Sequence, residues 1–342
     1  MDEFVCLRMI QMNGVDLAQF QFDFDMSFAV FFMNPDGAIY GRYGTRADRP
    51  DEADRFVSLE GLAASMEAAL ALHRNYPGNA DFLQGKKGPE PEYARAELYP
   101  QLTKYTPKIN YENEVAKSCI HCHQIHNAER QELRDAGKSI PDVVLYPYPI
   151  PDVVGIRFDP DTRSTVAEVA PNSPADLLNL QPGDQILNAN EQPLVSMADF
   201  QWVLHHASPG GATIPIKVWR QGKVATLDLV LEDGWRKKTD FTWRVSTWDL
   251  RRMVLGGMVL EPDKSAPTGL AVKGAGKYGE HGVARRAGVR EGDVIIEIAG
   301  IHEPSTEAQV IAHLLSTTKK GDPVAVSIRR NGKEMSFTFN AQ

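Results

Sequence analysis

The chain has 342 residues and a formal net charge of −8, with 42% apolar, 24% charged and 8% aromatic residues. That usage is ordinary for a soluble globular protein, excludes collagen-like and disordered chains, and at this length implies roughly two to three domains. The acidic balance argues against nucleic acid or an anionic membrane as partner, and the longest strongly apolar stretch, Phe28 to Met33, is too short to span a bilayer.

Met1 is followed by Asp2-Glu3, so no basic-then-apolar export signal opens the chain. Cys6 lies in the strand-like stretch Phe4-Val5-Cys6-Leu7 and reads as a small buried hydrophobe; three cysteines cannot build a disulfide scaffold. Ser27 to Met33 reads as a buried strand, Asn34-Pro35-Asp36-Gly37 as a turn, and Ala38 to Gly44 as the partner strand. Ser58 opens a helix to about His73, with Leu59, Leu62, Met66, Ala69 and Leu70 as its apolar face. From 78 to 117 the composition is polar, and Gly85-Lys86-Lys87-Gly88-Pro89-Glu90-Pro91-Glu92 reads as loop or linker.

Cys119-Ile120-His121-Cys122-His123 has the C-x-x-C-H spacing of covalent haem c attachment. On that reading, Cys119 and Cys122 on one helical turn reach one edge of the macrocycle, and His123 ligates the iron. The helix continues through Arg134, and the distal ligand stays open among Met253, Met258, His205, His206 and His126. Zinc held by Cys119, Cys122, His123 and His126 is an alternative, cramped by drawing four ligands from eight residues. A redox dithiol is another, with Cys119 as nucleophile and Cys122 resolving, and structural cysteines without a cofactor are the simplest reading. Tyr146-Pro147-Tyr148-Pro149-Ile150-Pro151 favours an extended conformation and sets its tyrosines over whatever the cysteines hold.

The C-terminal half repeats itself. Leu180-Gln181-Pro182-Gly183-Asp184-Gln185-Ile186-Leu187 matches Val289-Arg290-Glu291-Gly292-Asp293-Val294-Ile295-Ile296, each preceded by a small-residue helix. A second helix follows in each copy, capped by Ser196 or Ser305, and then a hairpin turning at Gly222-Lys223 or Gly332-Lys333. This order resembles two bacterial PDZ domains, over about 150–234 and 250–340. The resemblance implies small partly open β-barrels that take an extended peptide as an added strand. The matching loops, Val153-Val154-Gly155-Ile156 and Val254-Leu255-Gly256-Gly257-Met258-Val259, make Gly155, Ile156, Gly256, Gly257 and Met258 the implied peptide-binding residues.

Strand, Asp-Gly hairpin, strand and helix at 1–77 resemble the C-terminal half of a thioredoxin fold, with Phe4 to Met9 as an earlier strand of the sheet. Taken whole, the chain resembles a family of bacterial thioredoxin-like/PDZ proteins, some with selenocysteine. The implied architecture is multidomain α+β: a partial thioredoxin-like domain (1–77), a linker with a helical C-x-x-C-H segment (78–149) and two PDZ domains (150–234 and 250–340). Protein or peptide partners and a periplasmic or envelope location follow from it, and a start in mid-pattern implies upstream sequence bearing an export signal.

Neither G-x-S-x-G nor G-N-S-G-G occurs, and Gly269 to Gly279 lacks the context of a phosphate loop. The expectation is therefore a non-protease envelope protein without catalytic residues. It would bind partners through tandem PDZ copies and carry haem c for electron transfer or redox sensing. The alternatives are a thiol–disulfide oxidoreductase or chaperone cycling Cys119 and Cys122, or a pure scaffold.

Overall fold

The computed structural model describes residues 3–44, 54–112 and 114–342; Met1 and Asp2, on which the reading of the chain's start turns, and residues 45–53 of the 1–77 stretch lie outside the described residues. Strands β1 (Val30–Met33) and β2 (Ile39–Tyr43) come first, then helices α1 (Leu59–Arg74), α2 (Ala80–Leu83), α3 (Val115–Ser118), α4 (His123–Asp135) and α5 (Asp142–Leu145). The first repeat holds β3 (Ile156–Phe158), β4 (Val166–Val169), α6 (Pro174–Leu177), β5 (Gln185–Ala189), β6 (Gln192–Pro193), α7 (Met197–His206), β7 (Ala212–Arg220) and β8 (Lys223–Leu231). The second holds α8 (Thr247–Leu255), β9 (Met258–Pro262), β10 (Leu270–Ala275), α9 (Val283–Ala287), β11 (Val294–Ile298), α10 (Glu307–Thr317), β12 (Pro323–Arg330) and β13 (Lys333–Asn340).

This is a mixed α+β chain of two compact units, one of residues 1–125 with 146–239 and the other of 126–145 with 240–342. The units do not divide at 77 or 149. Residues 78–117 are no free linker: Leu83, Lys86, Ala96, Glu97, Tyr99 and Leu102 are all buried.

In the N-terminal part of the first unit, β1 and β2 pair antiparallel around the Asn34 turn, where Asn34 Oδ1 accepts the Ala38 N–H at 2.8 Å. Ser58 caps α1 by accepting the Gly61 N–H at 2.9 Å. Of the expected apolar face, Ala69 is buried and Leu62 and Met66 pack partly buried against the core, while Leu59 is 81% exposed. Gly61 is buried as well: a Cβ there would lie 2.1 Å from the Pro160 carbonyl oxygen, so only a glycine lets α1 approach so closely. Phe4 to Met9 forms no strand, and the β1–β2 sheet has two strands rather than the three of the expected thioredoxin-like half. Cys6 is exposed, with Val5 and Leu7 on either side, which corrects its reading as a buried hydrophobe.

A buried carboxylate joins this part to α7. Asp199 Oδ1 lies 2.9 Å from Lys86 Nζ and accepts the Arg42 N–H at 3.2 Å, while Oδ2 accepts the Val195 N–H at 2.9 Å. The Arg42 guanidinium lies 3.7 Å over the Trp202 ring and donates to the Lys86 carbonyl at 2.6 Å. Burial pushes Arg42 down to about 10 and lowers Lys86 too, in both cases against the attraction of Asp199.

The two repeats satisfy their main chains in the same way. Asp184 receives Arg220 Nε and Nη2, each at 2.6 Å, and accepts the Gln181 N–H; Asp293 receives Arg330 at 2.6 and 2.7 Å and accepts the Arg290 N–H. Ser164 Oγ donates to the Ile186 carbonyl and Thr268 Oγ1 to that of Ile295, both at 2.7 Å. Gln221-Gly222 and Asn331-Gly332 both have positive φ, as a type I′ hairpin turn requires. Neither repeat closes into the expected barrel. The first has a β3–β4 pair beside the sheet β6-β5-β7-β8, and the second an open sheet β13-β12-β11-β10-β9. The first core gathers Val154, Ile156, Phe158, Ile186, Phe200 and Leu204.

Asp199→Ala leaves Lys86 and Arg42 buried with no counter-charge. Urea unfolding is expected to show a loss of about 3–5 kcal/mol, against a much smaller loss for a change at exposed Lys223.

Candidate functional site

The C-x-x-C-H segment is a bent joint, not a helical turn. Asn13 holds it: its amide donates to the Thr106 and Ser118 carbonyls, and its Oδ1 accepts the N–H of fully buried Ile120 at 2.8 Å. Cys119 caps the C-terminus of α3 in an extended conformation, with Sγ–H donating to the Val115 carbonyl at 3.1 Å. Cys122 follows just before α4 begins at His123, so the two cysteines stand on no common helix, unlike the expected helical segment. The His123 ring lies stacked beside that of exposed His121, 6.0 Å away. Among the described residues, the donor atoms of Cys119, Cys122 and His123, three of the four expected zinc ligands, do not all lie within 4.8 Å of one another. As they stand, these three are not gathered as a zinc site requires.

The dithiol reading also meets opposition. Cys119 follows the C-terminus of α3 rather than opening a helix, as the dithiol reading expected. Burial pushes the Cys122 thiol up, Asp25 and Asp23 add to this, and the His123 N–H bond works against it. The tyrosines of the proline-rich stretch pack elsewhere: Tyr148 stacks 3.9 Å from the His205 ring of α7, and the Tyr146 carbonyl accepts from Arg236. Arg130 and Arg134 of α4 are buried within the second unit, where Arg130 donates to Ser246 Oγ and Arg134 to the Gln342 and Thr318 carbonyls.

The loops expected to bind peptide lie at the heads of edge strands. Gly155 (φ 83°) ends the first loop, its carbonyl accepting the Ala170 N–H, and a Cβ there would lie 2.0 Å from Ser173 Oγ. Ile156 opens β3 and is fully buried. Gly256 and Gly257 (φ 57° and 82°) end α8, and buried Met258 opens β9.

Further along each strand the main chain decides what is free. Phe158 stands opposite Val166, but the Val166 N–H donates to the Asp184 carbonyl and its carbonyl accepts the Gly183 N–H, both at 2.8 Å. Phe158 therefore turns its N–H and C=O to the open edge of β3, toward α7, whose Phe200 ring meets its own at 5.5 Å. In the second repeat Val272 is engaged identically by Asp293 and Gly292, and Leu260 opposite it turns outward too. There Glu307 Oε1 accepts the Leu260 N–H at 2.9 Å, while Arg251 Nε and Nη2 hold the same carboxylate at 2.9 and 2.6 Å. Glu307 is the first residue of α10, after cap Thr306; the first residue of α7, after cap Ser196, is Met197. Phe158, Met197, Glu307 and Arg251 escaped the sequence reading, which set the second cap at Ser305; the cap is Thr306, and counting from it pairs Met197 with Glu307.

Residues 153–231 match the PDZ domain family. The chain contains a PDZ domain. The chain is also 27% identical over 187 residues to a protein named as a DegP-like periplasmic serine endoprotease of Pseudomonas savastanoi, covering 53% of this chain and 38% of that protein. It is 28% identical over 182 residues to one named as a zinc metalloprotease of Treponema pallidum, covering 51% and 32%. A serine endoprotease structure from Yersinia pestis shares 29% identity over 20% of this chain and 25% of that one, at a TM-score of 0.19. The chain thus matches less than two-fifths of the length of these curated relatives.

The relatives correct the expectation of a non-protease haem protein without enzymatic character, because their names are those of proteases. The missing G-x-S-x-G and G-N-S-G-G patterns could not carry that exclusion. A catalytic constellation is defined by geometry, and its local sequence differs between folds.

Two outcomes are expected. Iodoacetamide should label Cys122 more slowly than exposed Cys6 at neutral pH, with a rate profile displaced above the ordinary thiol range, read by peptide mass spectrometry. Glu307→Ala strands Arg251 and should cost about 3–5 kcal/mol in urea unfolding, with Glu307→Gln costing less.

Proposed function

We propose that this chain works in proteolysis in the bacterial periplasm, its PDZ domain taking extended segments of protein substrates as an added strand on β3. The observation that carries this reading is the outward-turned main chain of Phe158 beside α7, in a domain whose family binds peptides by strand addition. The relatives support it from another side. They are named for two unrelated catalytic chemistries, serine and zinc, yet match this chain at 27% and 28% identity, which favours a shared manner of handling substrate over a shared nucleophile. The periplasmic location follows the serine endoprotease relatives.

We read residues 250–340 as a second PDZ copy. Its support is the repeated pairing of Asp293 with Arg330, of Thr268 with Ile295 and of Val272 with residues 292–293. The N-terminal hairpin and α1 then serve as a bracket, since β2 fixes α7 through Arg42 and Asp199.

Fluorescein-labelled β-casein, an unfolded protein, tests the reading. The wild-type chain is expected to retain it. Met197→Glu, which sets a carboxylate where the second repeat has one, should weaken retention by about tenfold or more. Equal retention by both chains, or none by either, overturns the reading.

A further inference from the structure

Between Phe158 and the head of α7 lies a small solvent-open notch, lined by Phe158, Asp159, Arg163, Ser196 and Met197 among others. Along the chain Phe158 and Met197 correspond to Leu260 and Glu307 of the second repeat, where the Glu307 carboxylate accepts the Leu260 N–H. Arg163 borders the cleft half-buried, with no hydrogen bond or ion pair among the described residues and its Nε shut off from water. The neighbouring carboxylates are engaged elsewhere: Asp159 Oδ1 accepts the Asp161 N–H, and the Asp199 oxygens face Lys86 and Val195. Burial lowers the Arg163 pKa, with only a partial offset from Asp199, so a counter-charge in the cleft would relieve it.

We propose that the cleft takes an acidic side chain of the incoming strand, its carboxylate held by Arg163 as Arg251 holds Glu307, while the Phe158 N–H pairs with the strand's main chain. The first repeat is then an acid-selective reader of extended peptides, and the second carries its own acid in the same place. This rests on β3 being the strand-accepting edge. A glutamate or aspartate fits the site because Arg163 offers a forked donor and the head of α7 a positive helix end.

The test uses the full chain and two fluorescein-labelled decapeptides of alternating threonine and valine, identical except for a central glutamate or glutamine. Both are amidated at the C-terminus, so that only the side-chain carboxylate differs. By anisotropy the glutamate peptide should bind about tenfold tighter than the glutamine one, with the gap narrowing as salt rises. Arg163→Gln should bring the two affinities together, and a urea-unfolding midpoint matching the wild type is the check that the variant is folded. Equal binding of the two peptides by the wild type, or a preference that survives Arg163→Gln, overturns the acid assignment while leaving strand addition intact. A third peptide, the glutamine one methylated at alternate backbone nitrogens, addresses the underlying reading. If it binds as well as its parent, or if no peptide binds the wild type, strand addition on β3 fails and the acid assignment with it.

Discussion

Both ends of the function traced here depend on how one residue uses its backbone. Val166 gives its N–H to Asp184 and takes that of Gly183, leaving Phe158 no partner across the ladder. Backbone groups turned outward this way are satisfied by water, by an added strand or by a side chain of the same chain. On a free surface an unpaired strand invites aggregation, and proteins limit it by keeping edges short and covered. β3 has three residues and runs beside α7, which confines what can pair with it.

The position of α7 is therefore the second constraint, and the N-terminal part of the chain sets it. Every residue from Ala198 to Leu204 is buried, so the helix is covered on all faces rather than on one stripe. Phe200 and Leu204 face the repeat's own core, while Trp202 lies under the Arg42 guanidinium and Asp199 meets Lys86. Buried charges of this kind add little net stability, since desolvation offsets much of the attraction, but they hold a register sharply because a displaced partner leaves an unpaired ion. The bracket thus serves position more than stability.

The sequence made the repeat legible because its signals are local: a glycine and an aspartate in one turn, a capped helix, and a hairpin turn at Gly222 or Gly332. The same holds for α1 and its Ser58 cap. What stayed hidden depends on distant partners. Lys86 sits in a stretch with the composition of a linker, and only Asp199, far along the chain, makes its burial possible. Asn13 reshapes the C-x-x-C-H segment from over a hundred positions away, so a pattern suggestive of haem became a bent joint. Cys6 failed for the opposite reason: its apolar neighbours predict a strand, but a strand also needs a sheet edge to join.

The difference between the repeats then comes down to the residue that follows a helix cap. With Met197 in that place, the notch beside Phe158 stands open; with Glu307, a carboxylate already accepts the equivalent N–H. A tethered group competes at an effective concentration of millimolar or more, and Glu307 is further held by two bonds from Arg251 in a dry setting. A free peptide at micromolar concentration would have to displace that carboxylate and leave Arg251 without its partner, a cost that strand pairing alone does not repay. The second repeat thus keeps the backbone pattern of the first at Val272 and Leu260 and, through the one side chain of Glu307, supplies a carboxylate to the N–H that the first turns outward.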